Sequence, residues 1–327
     1  MVSAGPTARR PGTPARYGVS VNTPAPSGQQ HPLAHGAHRA VIAEVGASVR
    51  TYSVGGRDVV LPFDESDLAP AFSGAVLAPW PNRLRDGQYT WDGTEYQVAV
   101  TEPDRMTALH GLVAQVRFAK VASESGPDGD TSVTLRHDLV PTPGYPWSLR
   151  VDVTYSLSDA GLRVHVAATN RDATAAPYGI GFHPWLSPGD AAVDDCTLRV
   201  DATSQVTVDD RLLPTGTRPL SGAEDRTTPQ PLAGVALDDA FVDVTRDADG
   251  LSWIVLGSTD GHGSAMWMDD SMDTWQVCTG NGIPKIDRRG VAAEPMSCIA
   301  DAFRTGERLV RLEPGASHEV TWGMALV

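Results

Sequence analysis

Thiols are scarce in this sequence, basic charge is in deficit, and long apolar runs are missing. Cys196, Cys278 and Cys298 are its only three cysteines in 327 residues. They are too far apart for a disulfide framework or a Cys-x-x-Cys metal site, so a reducing cytoplasm is the expected home. Lysine and arginine total 26 against 40 acidic residues, a net charge of −14. A chain this acidic is repelled at long range by nucleic acid and by anionic membranes, so neither is an expected partner. No apolar stretch approaches the length of a bilayer span. Arg9 and Arg10 resemble the start of a twin-arginine export signal, but Pro-Gly-Thr-Pro at residues 11–14 stands where its apolar segment should follow. Sustained helical periodicity, repeats of fixed length and polar linkers beyond residue 36 are absent as well.

What is present divides in two. Residues 1–36 are rich in Pro, Gly, Ala, Ser and Thr, cannot bury enough apolar surface to offset the entropy cost of ordering, and read as a disordered tail. His31, His35 and His38, at its end, read as solvated loop residues. Residues 37–327 read as one domain, since β domains often exceed roughly 200 residues undivided. From Arg39 onward, short stretches with period-two alternation are separated by turn dipeptides. Gln88 to Val100 is a hairpin about Asp92-Gly93, because Asp-Gly supplies the positive φ angles of a tight turn. Leu149, Val151, Val153, Tyr155 and Leu157 share one strand face, and Leu162, Val164, Val166 and Ala168 share another. Many such strands predict an all-β, largely antiparallel sandwich of two broad sheets with a concave face.

Several polar clusters interrupt this pattern. Tyr178 to Trp185 reads Tyr-Gly-Ile-Gly-Phe-His-Pro-Trp, and Pro184 removes an amide donor, which places His183 at a strand end. Imidazole there can exchange protons near neutral pH, or merely cap the strand. The stretch Leu77 to Leu84, Leu-Ala-Pro-Trp-Pro-Asn-Arg-Leu, is a stiff loop ending in Asn82 and the forked cation of Arg83. His110 sits in Ala-Leu-His-Gly, and Asp238 and Asp239 stand together ahead of Phe241. Glu294 is flanked by alanine and proline, a setting that desolvates a carboxyl and raises its pKa toward that of a working base. Asp301 reads as a turn or surface residue.

From about Val41 to the C-terminus, these clusters resemble the aldose 1-epimerases, the galactose mutarotase family, and within them the bacterial sugar-mutarotase branch with the Pro-Trp-Pro-Asn-Arg loop. Residues 143–147 (Pro-Gly-Tyr-Pro-Trp) and 211–216 (Arg-Leu-Leu-Pro-Thr-Gly) complete the ordered set of motifs. The resemblance implies a galactose-mutarotase-like β supersandwich that interconverts the α and β anomers of a free aldose without cofactor or metal. Matched motif by motif, it implies Glu294 as general base at the C1 hydroxyl and His183 as general acid at the ring oxygen, on opposite sides of the hemiacetal. It also implies that Arg83, His110, Asp238 and Asn82 bind the sugar, Asp238 being preferred to Asp239 for its spacing from Phe241. Trp185 departs from the tyrosine usual after His-Pro, and Trp80 and Trp275 are further candidate walls. The expected partner is a small-molecule sugar, and the expected assembly a monomer or homodimer. Three other readings stay open: a noncatalytic carbohydrate-binding protein, a glycosidase using Asp238 and Glu294, and a mutarotase for a phosphorylated or sulfonated hexose held by Arg83, Arg85, Arg288 and Arg289.

Overall fold

Alternation along the strands decides the architecture. In the computed structural model, which describes Met1 and residues 25–327, nearly every regular element is an antiparallel strand; the only α-helix among the described residues is the single turn Ala302–Thr305. Two large sheets carry the fold. The larger has nine strands, with Leu149–Ser158, Gly161–Asn170 and Ser317–Leu326 adjacent near its middle. The second runs in the order Pro214–Pro219, Ala202–Val208, Asp238–Val244, Thr274–Cys278, Val291–Met296, Gly181–Phe182, Val76–Leu77, with Trp185–Leu186 also pairing to Val291–Met296.

The sheets bury one face of each against the other. Val151, Tyr155, Val166 and Trp322 from the first share a core with Phe182, Phe241, Trp275, Val277 and Ala293 from the second; the Phe182 and Trp322 ring centroids are 4.9 Å apart. Because side chains alternate, the neighbours of these core residues point away from the core. Gln276 lies opposite Glu294, and Cys278 lies opposite both Asp238 and Ala292. The strands that build the core therefore also build a polar patch on the sheet's other face.

Three expectations need correction. The ordered fold begins before residue 37: Gln30–His35 is a strand paired with His38–Ala43, and Leu33 is buried within it. His31 is buried in that strand, and His38 hydrogen-bonds the Tyr52 hydroxyl at 3.0 Å, so neither is a solvated loop residue. The tail expected over residues 2–24 lies outside the described residues. Glu294, placed by sequence in an irregular cluster, sits mid-strand in Val291–Met296. That strand is buried on both faces, so it shows no alternation, and Pro295 argues against it locally.

Candidate functional site

Two sequence motifs pack directly on one another at the edge of this patch. A Cβ added to Gly181 would lie 2.8 Å from Pro81 Cβ and 2.9 Å from Met296 Cγ, so only glycine lets the proline loop approach. The Gly179 amide donates to the Pro79 carbonyl at 2.7 Å. His183 follows, anchored by its amide to the Ala75 carbonyl (3.1 Å) and by its carbonyl to the Gly74 amide (2.8 Å). This frame brings His183 Nε2 to 3.3 Å from Glu294 Oε1. The two groups adjoin, rather than standing on opposite sides of a ligand-sized gap.

Asn82 and His110 hold each other. Both have left-handed backbones, φ 55° and 61°. The His110 amide donates to the Asn82 carbonyl at 3.0 Å, and the Asn82 amide donates to His110 Nδ1 at 3.2 Å. Accepting at Nδ1 fixes the neutral tautomer, so the ring's proton is on Nε2, available as a donor. The Asn82 side-chain oxygen accepts the Arg83 amide at 2.8 Å, which makes part of its role local positioning. The Arg83 guanidinium is gripped by Glu102 through two bonds of 2.9 and 3.2 Å and lies 3.9 Å from Asp238. Asp238 in turn accepts from Gln276 Nε2 at 2.8 Å.

Burial controls the electrostatics. Glu294 is 2% exposed; desolvation first, then the Asp238 charge, push its carboxyl well above the ordinary range, with Arg83 opposing. Desolvation also lowers His183 to about 4, against a raising backbone hydrogen bond. His110 is held well below its usual value, by burial first and then by His183 and Arg83. Both members of the Glu294–His183 pair thus favour their neutral forms, and together they hold one proton. Among the described residues the buried atoms His183 Nδ1 and Glu294 Oε2 have no hydrogen-bond partner.

These side chains border a cavity of about 600 Å³ whose apolar lining includes Phe72, Leu109, Trp185 and Ile283. An apolar wall facing a patch of placed donors and acceptors suits a small ligand with one C–H face and a rim of hydroxyls. All six sequence candidates, Glu294, His183, Arg83, His110, Asp238 and Asn82, line it. Asp239 points elsewhere and accepts from Gln205 at 2.6 Å. Trp80 and Trp275 are core residues, their indole N–H groups donating to the Ala108 carbonyl and the Ser252 hydroxyl. Of the four arginines considered for an anion, only Arg83 lines the cavity. Arg85 approaches Asp209 and Asp301, Arg288 pairs with Asp194, and Arg289 bonds the Lys285 carbonyl. Asp301, expected at the surface, is 5% exposed and accepts the Arg85 amide at 2.9 Å.

Sequence reasoning missed Glu102, Arg105, Gln276 and Phe72. Gln276 carries a signal, being a lone amide inside the apolar run Thr274–Cys278. Glu102 carries none; Arg105 and Thr107 lie near it in sequence, but Arg83 reaches it only in the fold.

A family model described as Aldose 1-epimerase matches residues 29–324. The chain belongs to the aldose 1-epimerase family. It is 34% identical over 297 residues to YihR, an uncharacterized protein of Escherichia coli K12, covering 90% of this chain and 92% of that one. Human galactose mutarotase is 30% identical over 180 residues, 49% of this chain and 46% of its own length. Among solved structures, a galactose mutarotase-like protein from Clostridium acetobutylicum superposes with a TM-score of 0.80 at 17% identity, over 90% of this chain and 94% of that one. Galactose 1-epimerase from Lactobacillus acidophilus gives a TM-score of 0.76 at 16% identity, over 91% and 94%. The architecture is thus the galactose-mutarotase-like β sandwich of an epimerase family.

Proposed function

We propose that the protein is an aldose 1-epimerase acting on a free, neutral hexose, with Glu294 as base and His183 as acid. The observation that carries this reading is the buried contact of 3.3 Å between the two groups, beside a cavity of hexose-compatible chemistry. In the closed-ring complex the shared proton sits on His183 and Glu294 is ionised. Glu294 takes the C1 hydroxyl proton as C1=O forms, the bond from C1 to the ring oxygen breaks, and His183 protonates that oxygen. The dyad is then a neutral acid beside a neutral imidazole, the tautomer that burial favours. The bond between C1 and C2 rotates, and closure onto the other face runs the transfers backward. His110, through Nε2–H, stabilises the ring oxygen and the developing carbonyl, while Arg83, Asp238 and Asn82 hold hydroxyls. The scheme calls on no cofactor and no metal.

A phosphorylated or sulfonated sugar gains no added support, because the guanidiniums in the cavity, Arg83 and Arg105, are both bonded to Glu102. The deciding experiment is polarimetry on freshly dissolved α-glucose and α-galactose with wild type and Glu294→Gln. Acceleration is expected from wild type, with a loss of roughly 10²–10⁴-fold in the variant, the usual contribution of general acid–base catalysis. Glu294→Gln turning over at the wild-type rate would remove Glu294 from its role. No acceleration of either sugar would leave the binding-protein reading, and release of reducing sugar from a glycoside would favour the glycosidase.

The dyad works only when singly protonated, so kcat/KM, which reports the free enzyme, follows a bell in pH. The acid limb lies near 4, where His183 would gain a second proton. The alkaline limb lies well above the ordinary glutamate range, because Glu294 retains its proton there. A pH–rate profile with an acid limb at the free-imidazole value would contradict this assignment.

A further inference from the structure

Trp185 links the proposed acid, His183, to the Ala71–Phe72 turn at the edge of the cavity. Its ring lies nearly parallel to His183, with centroids 5.6 Å apart and 25° between planes. Its indole N–H donates, at 3.4 Å, to the carbonyl of Ala71. Ala71 and Phe72 are consecutive non-glycine residues in left-handed conformation, φ 45° and 56°, a strained turn that persists only where its surroundings hold it. That turn sets the Phe72 ring 4.7 Å from His110 and 6.4 Å from His183, edge-on to the first and nearly parallel to the second. The seat for the indole is prepared across the sheet: a Cβ on Gly280 would fall 3.0 Å from Trp185 Cζ3.

We propose that Trp185 is a positioning residue with two separable effects: its ring face fixes the plane of His183, and its N–H holds the Ala71–Phe72 turn that sets the cavity wall. The kinetic part rests on the mutarotase reading above. Two flat rings beside His183 restrict its rotation, and an aromatic face favours the imidazolium over the neutral ring. Phe72 also borders a second, smaller cavity of about 250 Å³ together with Leu109 and His110. Releasing the turn therefore joins space on both sides of the phenyl ring and loosens the fit to a single hexose. The titratable groups nearest His183 are Glu294 on the adjoining strand and His110 across the cavity. Arg83, Glu102, Arg105 and Asp238 line the same space, and the Cys278 thiol beside Trp185 is pushed up to about 12. None of these is altered by the substitutions below.

The test compares Trp185→Phe with Trp185→Leu. Phenylalanine keeps a ring beside His183 and loses the N–H, so KM should rise about fivefold, the worth of one ordinary hydrogen bond, with kcat and the pH profile near wild type. Leucine loses both, so kcat should fall at least tenfold and the acid limb should move to lower pH, because the imidazolium loses its aromatic neighbour. A Phe variant with unchanged KM, or a Leu variant with wild-type kcat and acid limb, would overturn the corresponding half. Proton NMR titration of the His183 ring in wild type and Trp185→Leu gives a readout that needs no substrate: a lowered imidazole pKa supports the aromatic contact, and an unshifted one, or one raised by relief of desolvation, refutes it. If wild type accelerates no hexose while the NMR shift is seen, the mutarotase reading fails and the role of Trp185 stands. Near-UV circular dichroism on each variant separates these outcomes from misfolding.

Discussion

At the scale of the residue, the site consists of groups kept neutral by burial and groups kept charged by pairing. Glu294 belongs to the first kind. An unfolded chain releases that proton at the ordinary glutamate value, whereas the folded one resists, so folding is opposed above about 4.5 and unaffected below it. Glu294→Gln should therefore melt at a higher temperature than wild type at neutral pH. The gain should disappear as pH falls below 4.5, which calorimetry across the range would show. Glu102 belongs to the second kind: burial alone would raise its carboxyl, but hydrogen bonds from Arg83 and Thr107 and the nearby guanidiniums outweigh that and hold it low. Without its two charge-assisted bonds Arg83 is free to swing, so Glu102→Gln should raise KM about tenfold and leave kcat within a factor of about three. The difference in legibility is physical. Glu294 announces itself by charge in an apolar run, whereas Glu102 lies between Thr101 and Pro103 in an ordinary turn and acquires meaning only when the fold brings Arg83 to it.

At the scale of the element, what positions the site is close approach of backbones. Gly111, next to His110, has φ 70°, and a Cβ there would sit 2.2 Å from the Ala78 carbonyl oxygen. Gly111→Ala should cost more than about 1–3 kcal/mol in stability, through both backbone strain and the clash. Because the same loop aims His110, activity should fall in the molecules that remain folded, as thermal unfolding and polarimetry would report together. The hairpin about Asp92-Gly93 was legible from its turn, where both residues have positive φ, and the strands Leu149–Ser158 and Gly161–Asn170 because one face of each alternates cleanly. Ala119–Gly126 was not: almost every residue in it is exposed, so no apolar face betrays it, and only pairing with Gly129–Leu139 makes it a strand. Val291–Met296 fails for the opposite reason, being buried throughout.

At the scale of the whole molecule, the antiparallel sandwich follows from strand number and alternation, and that much could be read from the chain. The position of its N-terminal edge could not, since Gln30–His35 has only Leu33 as a large apolar residue and takes its order from the neighbouring strand. Removing residues 1–36 deletes that strand and exposes the surface Leu33 covers. Burying one leucine is worth about 1.5–3 kcal/mol, and at roughly 2–4 °C per kcal/mol the melting temperature should drop by several degrees. The sheet that carries the site also divides its positions by parity. Trp275, Val277 and Ala293 face the core, while Gln276, Cys278 and Glu294 face the cavity. Fold and ligand choice are thus written in interleaved letters of the same strands, each editable with little effect on the other. Libraries randomised at 238, 276 and 278 should keep more folded members and range more widely in which sugar they accept than libraries at 275, 277 and 293, as melting curves and polarimetry on members of each would show. A lineage descended from such a chain can change its diet without first having to rebuild its skeleton.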